Sequence, residues 1–335
     1  MSDVLAAVLW LGVTTYVVFG GADFGAGIWD LVSGRGSHSS RVRALIDKAI
    51  TPVWEANHVW VIFSLVICWT AFPSAFAAIL STLWIPFALA LLGIILRGSG
   101  FAFRHFLTGR AAEVSRWAFA VASVVTPFFL GAALGGIASG RVPLGNAEGD
   151  PLTSWLNPTS IVVGVLAVLT CTYLAALFLV ADATRYDDEE LAAYFGRRAM
   201  LAAAAVGVVA LVGIFVLRDD APYVGDRLTG AALPLLIVSL LAGGANLVLL
   251  RRRIRPWTRP VSVLAVVAVI WAWGVAQYPY LLPTSLTIDA GAAGDPTLTW
   301  LLGVAVAAVL TVGPSLALLF SLDRRSMLGE EHGPS

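Results

Sequence analysis

Residues 161–180 read I-V-V-G-V-L-A-V-L-T-C-T-Y-L-A-A-L-F-L-V, a run that is apolar on every helical face. A helix at the surface of a soluble domain keeps a polar face, and the strand of an outer-membrane barrel alternates every second residue; this run does neither. As a helix its twenty residues span about 30 Å, the thickness of bilayer hydrocarbon, and within lipid a lone segment satisfies its backbone only as a helix. Val261–Val275 repeats the pattern, and comparable runs recur along nearly all 335 residues.

Composition agrees: 59% of residues are hydrophobic, 13% are charged, and the mean hydropathy is +0.85. These values exclude a soluble globular enzyme and define an all-α integral membrane protein. Nine spans are expected, at about 5–32, 53–72, 75–97, 115–138, 159–181, 198–217, 230–250, 258–280 and 297–321, forming one transmembrane domain over residues 1–335. The opening M-S-D-V-L-A-A-V-L-W lacks a basic n-region and is read as a retained first helix. Cys68 and Cys171 fall inside apolar spans and read as small hydrophobes, neither a disulfide framework nor a metal site.

Charge placement sets the expected orientation. Of the 21 Lys and Arg residues, all but Arg141, Arg218 and Arg227 fall in the connections after spans one, three, five and seven or in the tail after span nine. Positive charge in short loops stays cytoplasmic, so the N-terminus is expected outside and the C-terminus inside. The basic loop R-R-R-I-R-P-W-T-R (251–259) is then a topology determinant rather than a nucleic-acid or lipid site. The mixed segment R-Y-D-D-E-E-L-A-A-Y-F-G-R-R (185–198) reads as a short solvated connection.

Few ionisable residues remain at membrane depth, and each costs enough there to be a functional candidate. Asp23 lies in F-G-G-A-D-F-G-A-G, two-thirds along the first span; Glu55 and His58 open the second span in T-P-V-W-E-A-N-H-V-W. Residues 55 and 58 share a helix face, and the glycines at 20, 21, 25 and 27 let the first span pack closely, which predicts a polar cluster open to the cytoplasm. Glu55 is weighed as a proton carrier against a helix-start carboxylate flanked by the interfacial anchors Trp54 and Trp60. His58 is weighed as a relay member, a haem or metal ligand, or a packing histidine. The other histidines, at 38, 105 and 332, lie in connections or the tail, so a bis-histidine haem site is not available and redox chemistry by this chain alone is not expected. Arg97 ends the third apolar run, with Arg104 beyond it; Arg97 either snorkels to the headgroups or pairs with Glu55 or Asp23. Between the last two spans, Q-Y-P-Y-L-L-P-T-S-L-T-I-D-A-G-A reads as an ordered outer cap.

Together these stretches resemble subunit II of the cytochrome bd quinol oxidases. The motifs are G-A-D-F-G-A-G (Gly21, Asp23, Gly25, Gly27), Pro52, Trp54, Glu55, Asn57, Val59 and Trp60, then Phe72–Pro73, Arg97, Phe101 and Arg104, and Y-P-Y-L-L-P-T-S-L-T before the last span. The resemblance implies two four-helix bundles plus one additional helix, in the bacterial cytoplasmic (inner) membrane. It implies a partner subunit I holding haem b and haem d, oxidising quinol and reducing oxygen to water, with no metal or haem assigned to this chain. Small accessory subunits and a structural quinone or lipid, near Trp54 for example, are left open. It also implies a proton route through Glu55, Asp23 and His58, with Trp54, Asn57, Trp60, Arg97 and Arg104 in structural, lipid or quinone contact. Two departures stand out: many relatives carry an acid where this chain has Gly20, and an aspartate where it has Glu55. The competing readings are an independent proton-coupled transporter and an assembly-only relative.

Overall fold

The computed structural model describes residues 1–34, 36–50, 54–103 and 106–324, the side chains of 50, 54–56, 316, 317 and 319–324 lying outside that description. Among the described residues there are one two-stranded hairpin, a short 3-10 turn at Arg255–Trp257 and thirteen α-helices. They are α1 (Ser2–Val32), α2 (Ser37–Ile50), α3 (Trp54–Ala71), α4 (Pro73–Thr82), α5 (Trp84–Phe103), α6 (Gly109–Ala138), α7 (Pro158–Arg185), α8 (Glu189–Asp220), α9 (Pro222–Thr229), α10 (Leu233–Arg251), α11 (Thr258–Gln277), α12 (Ile288–Gly291) and α13 (Asp295–Arg324). Eight of these are long and apolar enough to cross a membrane, and α3 is a shorter apolar helix beside them.

Helices α1, α3, α5 and α6 pack as one group and α7, α8, α10 and α11 as a second; α1 and α6 meet α7 at the seam, and α13 rests on α3 and α1. The seam is close because small residues face it. A Cβ on Gly25 would lie 1.9 Å from the Cys171 carbonyl oxygen, and one on Gly135 would lie 2.5 Å from the Ser160 Cα. Outward-facing positions are apolar: Leu201, Phe215, Leu240 and Trp300 are each more than 70% exposed, as lipid-facing side chains are.

The structure departs from the sequence expectations in four places. The expected span at 75–97 is two helices: α4 ends at Thr82, Leu83 breaks the ladder, and α5 runs from Trp84 to Phe103 with Pro86 in its first turn, where a missing N–H costs nothing. The connection after α1 contains the amphipathic helix α2, whose Val42, Leu45 and Ile46 are buried against α7 and α8. Its polar face made the segment look like a loop. The supposed solvated connection at 185–198 is mostly helix: Asp188 caps α8 by accepting from the Leu191 N–H at 3.0 Å, and α8 starts nine residues before the expected 198. The helix α9 fills the connection after α8.

Opposite the arginine-rich end, strands β1 (Tyr280–Leu282) and β2 (Leu286–Thr287) pair antiparallel and continue into α12. Leu282, Leu286 and Ile288 are buried with Leu5, Phe72 and Trp155, so the expected cap is part of the core at that end. Ser2 at the start of α1 donates to Asp289 of this cap.

Candidate functional site

The polar residues of the first group meet in one layer, set by the register of α1 against α3. Asn57 Nδ2 donates to the Phe19 carbonyl at 3.4 Å, and a Cβ on Gly12 would lie 2.7 Å from Ser64 Oγ. This antiparallel register puts residue 58 opposite residue 18 and residue 55 opposite residue 21. The second half of α1 and the first turns of α3 therefore lie at one depth.

Asp23 is at the centre of that layer and is not solitary. Arg97 reaches it from α5: Nη1 donates to Asp23 Oδ2 at 2.8 Å, and Nη2 donates to Oδ1 at 2.9 Å and to the Asp23 carbonyl at 2.8 Å. Arg97 Nε donates to Ser123 Oγ of α6 at 3.2 Å, and the Ser123 hydroxyl donates to the Phe119 carbonyl at 2.7 Å. The guanidinium lies between aromatic rings, 4.9 Å from the Phe24 centroid and 4.6 Å from that of Phe119. Arg97 is 2% and Asp23 3% exposed. Arg97 thus does not snorkel: α5 continues to Phe103, which places it a turn and a half inside the helix, and the carboxylate supplies the charge that water would have supplied.

Glycine makes this geometry reachable. A Cβ on Gly27 would lie 2.1 Å from Ser123 Oγ, so only glycine leaves the serine room to hold Arg97. Gly27 is therefore a packing requirement passed through Ser123 to the ion pair, while Gly25 of the same G-x-G answers to Cys171 of α7.

His58 stands beside the pair, edge-on to Phe24 at 6.4 Å and to Tyr16 at 6.5 Å between ring centroids. Phe24 thus neighbours both the imidazole and the guanidinium. Trp60 is half-buried and edge-on to Phe63 at 6.1 Å. Glu55 and Trp54 lie in the first turn of α3, but their side chains are outside the described residues, as is all of Arg104. The structure thus brings together Asp23, Arg97, Asn57 and His58. Sequence reading missed Ser123 and Phe119; a serine in the apolar run F-A-V-A-S-V-V was the available signal for the first, and nothing marked the second.

A cavity of about 470 Å³ begins at this layer. Its wall follows α1 from Asp3 to Phe24, roughly 30 Å at the rise of a helix. Its lining is apolar apart from a few groups, Tyr16 and Ser64 among them, and Tyr280 and Ile288 of the cap close its far end. Among the described residues, no three His, Cys, Asp or Glu side chains converge as a metal ion would require.

Two helix groups, an additional helix and the buried Asp23–Arg97 pair define a multi-pass membrane protein. The family model described as cytochrome bd terminal oxidase subunit II matches residues 1–322, and the chain belongs to that family. It is 25% identical over 308 residues to cytochrome bd ubiquinol oxidase subunit 2 of Bacillus subtilis, with 88% of this chain and 86% of the relative covered. It is 25% identical over 330 residues to cytochrome bd-I ubiquinol oxidase subunit 2 of Escherichia coli K12, covering 86% and 84%. The solved bd oxidase of Geobacillus thermodenitrificans superposes with a TM-score of 0.79 at 28% identity, over 96% of this chain and 98% of that one. The protein is therefore a subunit of a terminal quinol oxidase in the bacterial inner membrane, in complex with a subunit I, and the independent-transporter reading is set aside.

Proposed function

We propose that this chain scaffolds the haem-bearing subunit I as a single transmembrane domain and carries protons toward its haems from a cytoplasmic entrance at the first turn of α3. The haem b and haem d of subunit I would supply the chemistry of quinol oxidation and oxygen reduction; reducing oxygen to water consumes protons, and this chain would give them a path through the membrane interior. Glu55 and His58, one turn apart on α3, are the carriers in this reading. Asp23 belongs to the same layer with both oxygens engaged by Arg97, so its part is to fix the local field and to hold α1 against α5. Asn57 and Trp60 set the register of α3; Trp54 and Arg104 are assigned to the headgroup region. The apolar cavity along α1 has the length and lining for an acyl or isoprenoid tail, which supports a bound lipid or structural quinone.

The observation that carries the reading is the Asp23–Arg97 pair, buried at the depth where Glu55 and His58 enter. A charge pair inside a membrane subunit is expensive to keep and marks ion or proton traffic more often than stability. In the co-purified complex, Glu55→Gln should lower oxygen consumption with saturating quinol about tenfold or more, with the haem absorption spectrum intact. Unchanged turnover would remove Glu55 from the mechanism.

A further inference from the structure

Tyr16 lies on α1 two turns before Asp23, about 10 Å nearer the middle of the helix group. It is 8% exposed, and its hydroxyl has no hydrogen-bond partner among the described residues. A buried phenol left in that state is costly, and such groups in native proteins have a reason. Gly20 gives the ring room. A Cβ at residue 20 would lie 3.1 Å from the Tyr16 Cε2 and 3.2 Å from its Cδ2, so the ring lies along the helix surface over the missing side chain. There it stands edge-on to His58 at 6.5 Å and to Phe24 at 6.5 Å, and it lines the end of the apolar cavity nearest the charge layer.

Among the described residues, the titratable or charged groups around this position are Asp23 on its own helix, His58 from α3, Arg97 from α5 and Cys171 from α7. Asp23 and Arg97 are occupied with each other, and Cys171 is a buried thiol packed at the seam. The register orders the remaining groups by depth: Glu55, then His58, then Tyr16.

We infer that Tyr16 is a further member of the proton route, the station beyond His58. A neutral phenol can do this without ever holding a charge. Its oxygen accepts a proton from the His58 side as its own O–H proton passes to a water molecule at the cavity end, so one proton enters, the water carries one away, and the hydroxyl is restored by reorientation. On this reading, glycine at position 20 leaves room for a hydroxyl at that depth. The inference rests on the proposed proton route and adds one residue to it.

Tyr16→Phe keeps the ring and its packing and removes only the hydroxyl, so it separates relay from structure. In the co-purified complex it should slow oxygen consumption about tenfold at unchanged quinol KM, enlarge the solvent deuterium isotope effect, and leave the haem spectrum alone. Replacing Tyr16 by 3,5-difluorotyrosine, a phenol of the same shape and greater acidity, should move the alkaline limb of the pH profile to lower pH; this second arm serves if the Phe variant does not assemble. Glu55→Gln is measured in parallel. If Glu55→Gln slows turnover while both Tyr16 variants keep the wild-type rate, isotope effect and pH profile, Tyr16 is overturned and the route stands. If Glu55→Gln and the Tyr16 variants all leave turnover unchanged, the route itself is overturned.

Discussion

Each helix group buries a polar cluster that ties its helices together, and the two clusters are built from different chemistry. In the first, a full ion pair, Asp23–Arg97, lies between aromatic rings beside a histidine and a cavity. In the second, the fully buried Asn246 of α10 accepts from the Tyr173 hydroxyl at 2.9 Å and from the Ser262 N–H at 2.9 Å, and donates to the Thr258 carbonyl at 3.0 Å. That network is neutral and closed, and it ties α10 to α7 and α11 without a charge. Both arrangements hold helices together, and the neutral one does so at far lower desolvation cost. Keeping the dearer link in one half, where the cheaper one serves the other, is what the proposed proton route calls for.

The sharpest way to break the comparison is to separate adhesion from charge in the first group. Arg97→Met leaves the Asp23 carboxylate buried without its partner and should destabilise the complex by about 3–5 kcal/mol, read as a large drop in Tm in detergent. The double variant Asp23→Leu with Arg97→Met replaces the pair by apolar contact and should regain most of that stability. Oxygen consumption by the double variant should nonetheless remain low. Wild-type turnover in a stable double variant would show that the pair is adhesive only, like the Asn246 network.

Gly25→Ala tests the seam between the groups. The added methyl would meet the Cys171 backbone carbonyl at 1.9 Å, and a carbonyl in a helix cannot swing aside as a side chain can. A loss of about 1–3 kcal/mol is expected. Gly21→Ala, whose Cβ would meet Leu174 and Cys171 side-chain atoms at 3.4–3.5 Å, should be nearly silent by the same melting assay. Equal effects would mean that the seam yields.

How much of this was legible in the sequence follows from the same contrast. Asp23 and His58 stood out because an ionisable residue in an apolar run is conspicuous whatever its partner. The option of pairing Arg97 with Asp23 was visible too, but choosing it over snorkelling needed the end of α5, and the break at Leu83 shifts that helix by several residues. Ser123, Phe119 and Tyr16 could not be selected: a serine or an aromatic in an apolar span gains its role from what faces it across helices, which one-dimensional periodicity does not carry. Helix α2 was missed because its apolar face is three residues, Val42, Leu45 and Ile46, set among arginines and serines that read as a loop. The all-α membrane character and the family were legible, since both depend on hydropathy and motif order rather than on side-chain geometry.

In the second group, Asn246→Leu removes the acceptor of Tyr173 and the donor to Thr258, leaving buried polar groups unpaired. It should cost about 1–3 kcal/mol in the same melting assay. The pH profile of oxygen consumption should not move, since no titrating group is touched. A shifted profile would place the second group in proton handling and erase the contrast between the two halves.

The smallest expected effect comes from the exposed counterpart of the buried pair. Arg41 of α2 donates to both oxygens of Asp188, at 3.0 and 2.8 Å, and Asp188 also caps α8. The Leu191 backbone N–H first, and Arg41 after it, hold the Asp188 carboxyl below the usual carboxylate range. A depressed folded-state value means that the stabilisation is fully present above the unfolded value of about 3.9 and is lost as the pH falls through the folded one. Asp188→Ala should therefore lower Tm slightly at neutral pH, with the gap to wild type closing below about pH 4. Asp188→Asn keeps a good cap and loses the ion pair, so it should fall between the two. The pair is open to water, so raising the salt concentration should weaken it, whereas the 2%-exposed Arg97 should be insensitive to salt. A gap that instead widens on acidification would mean that Asp188 stabilises the fold in its protonated form, with neither the cap nor Arg41 responsible.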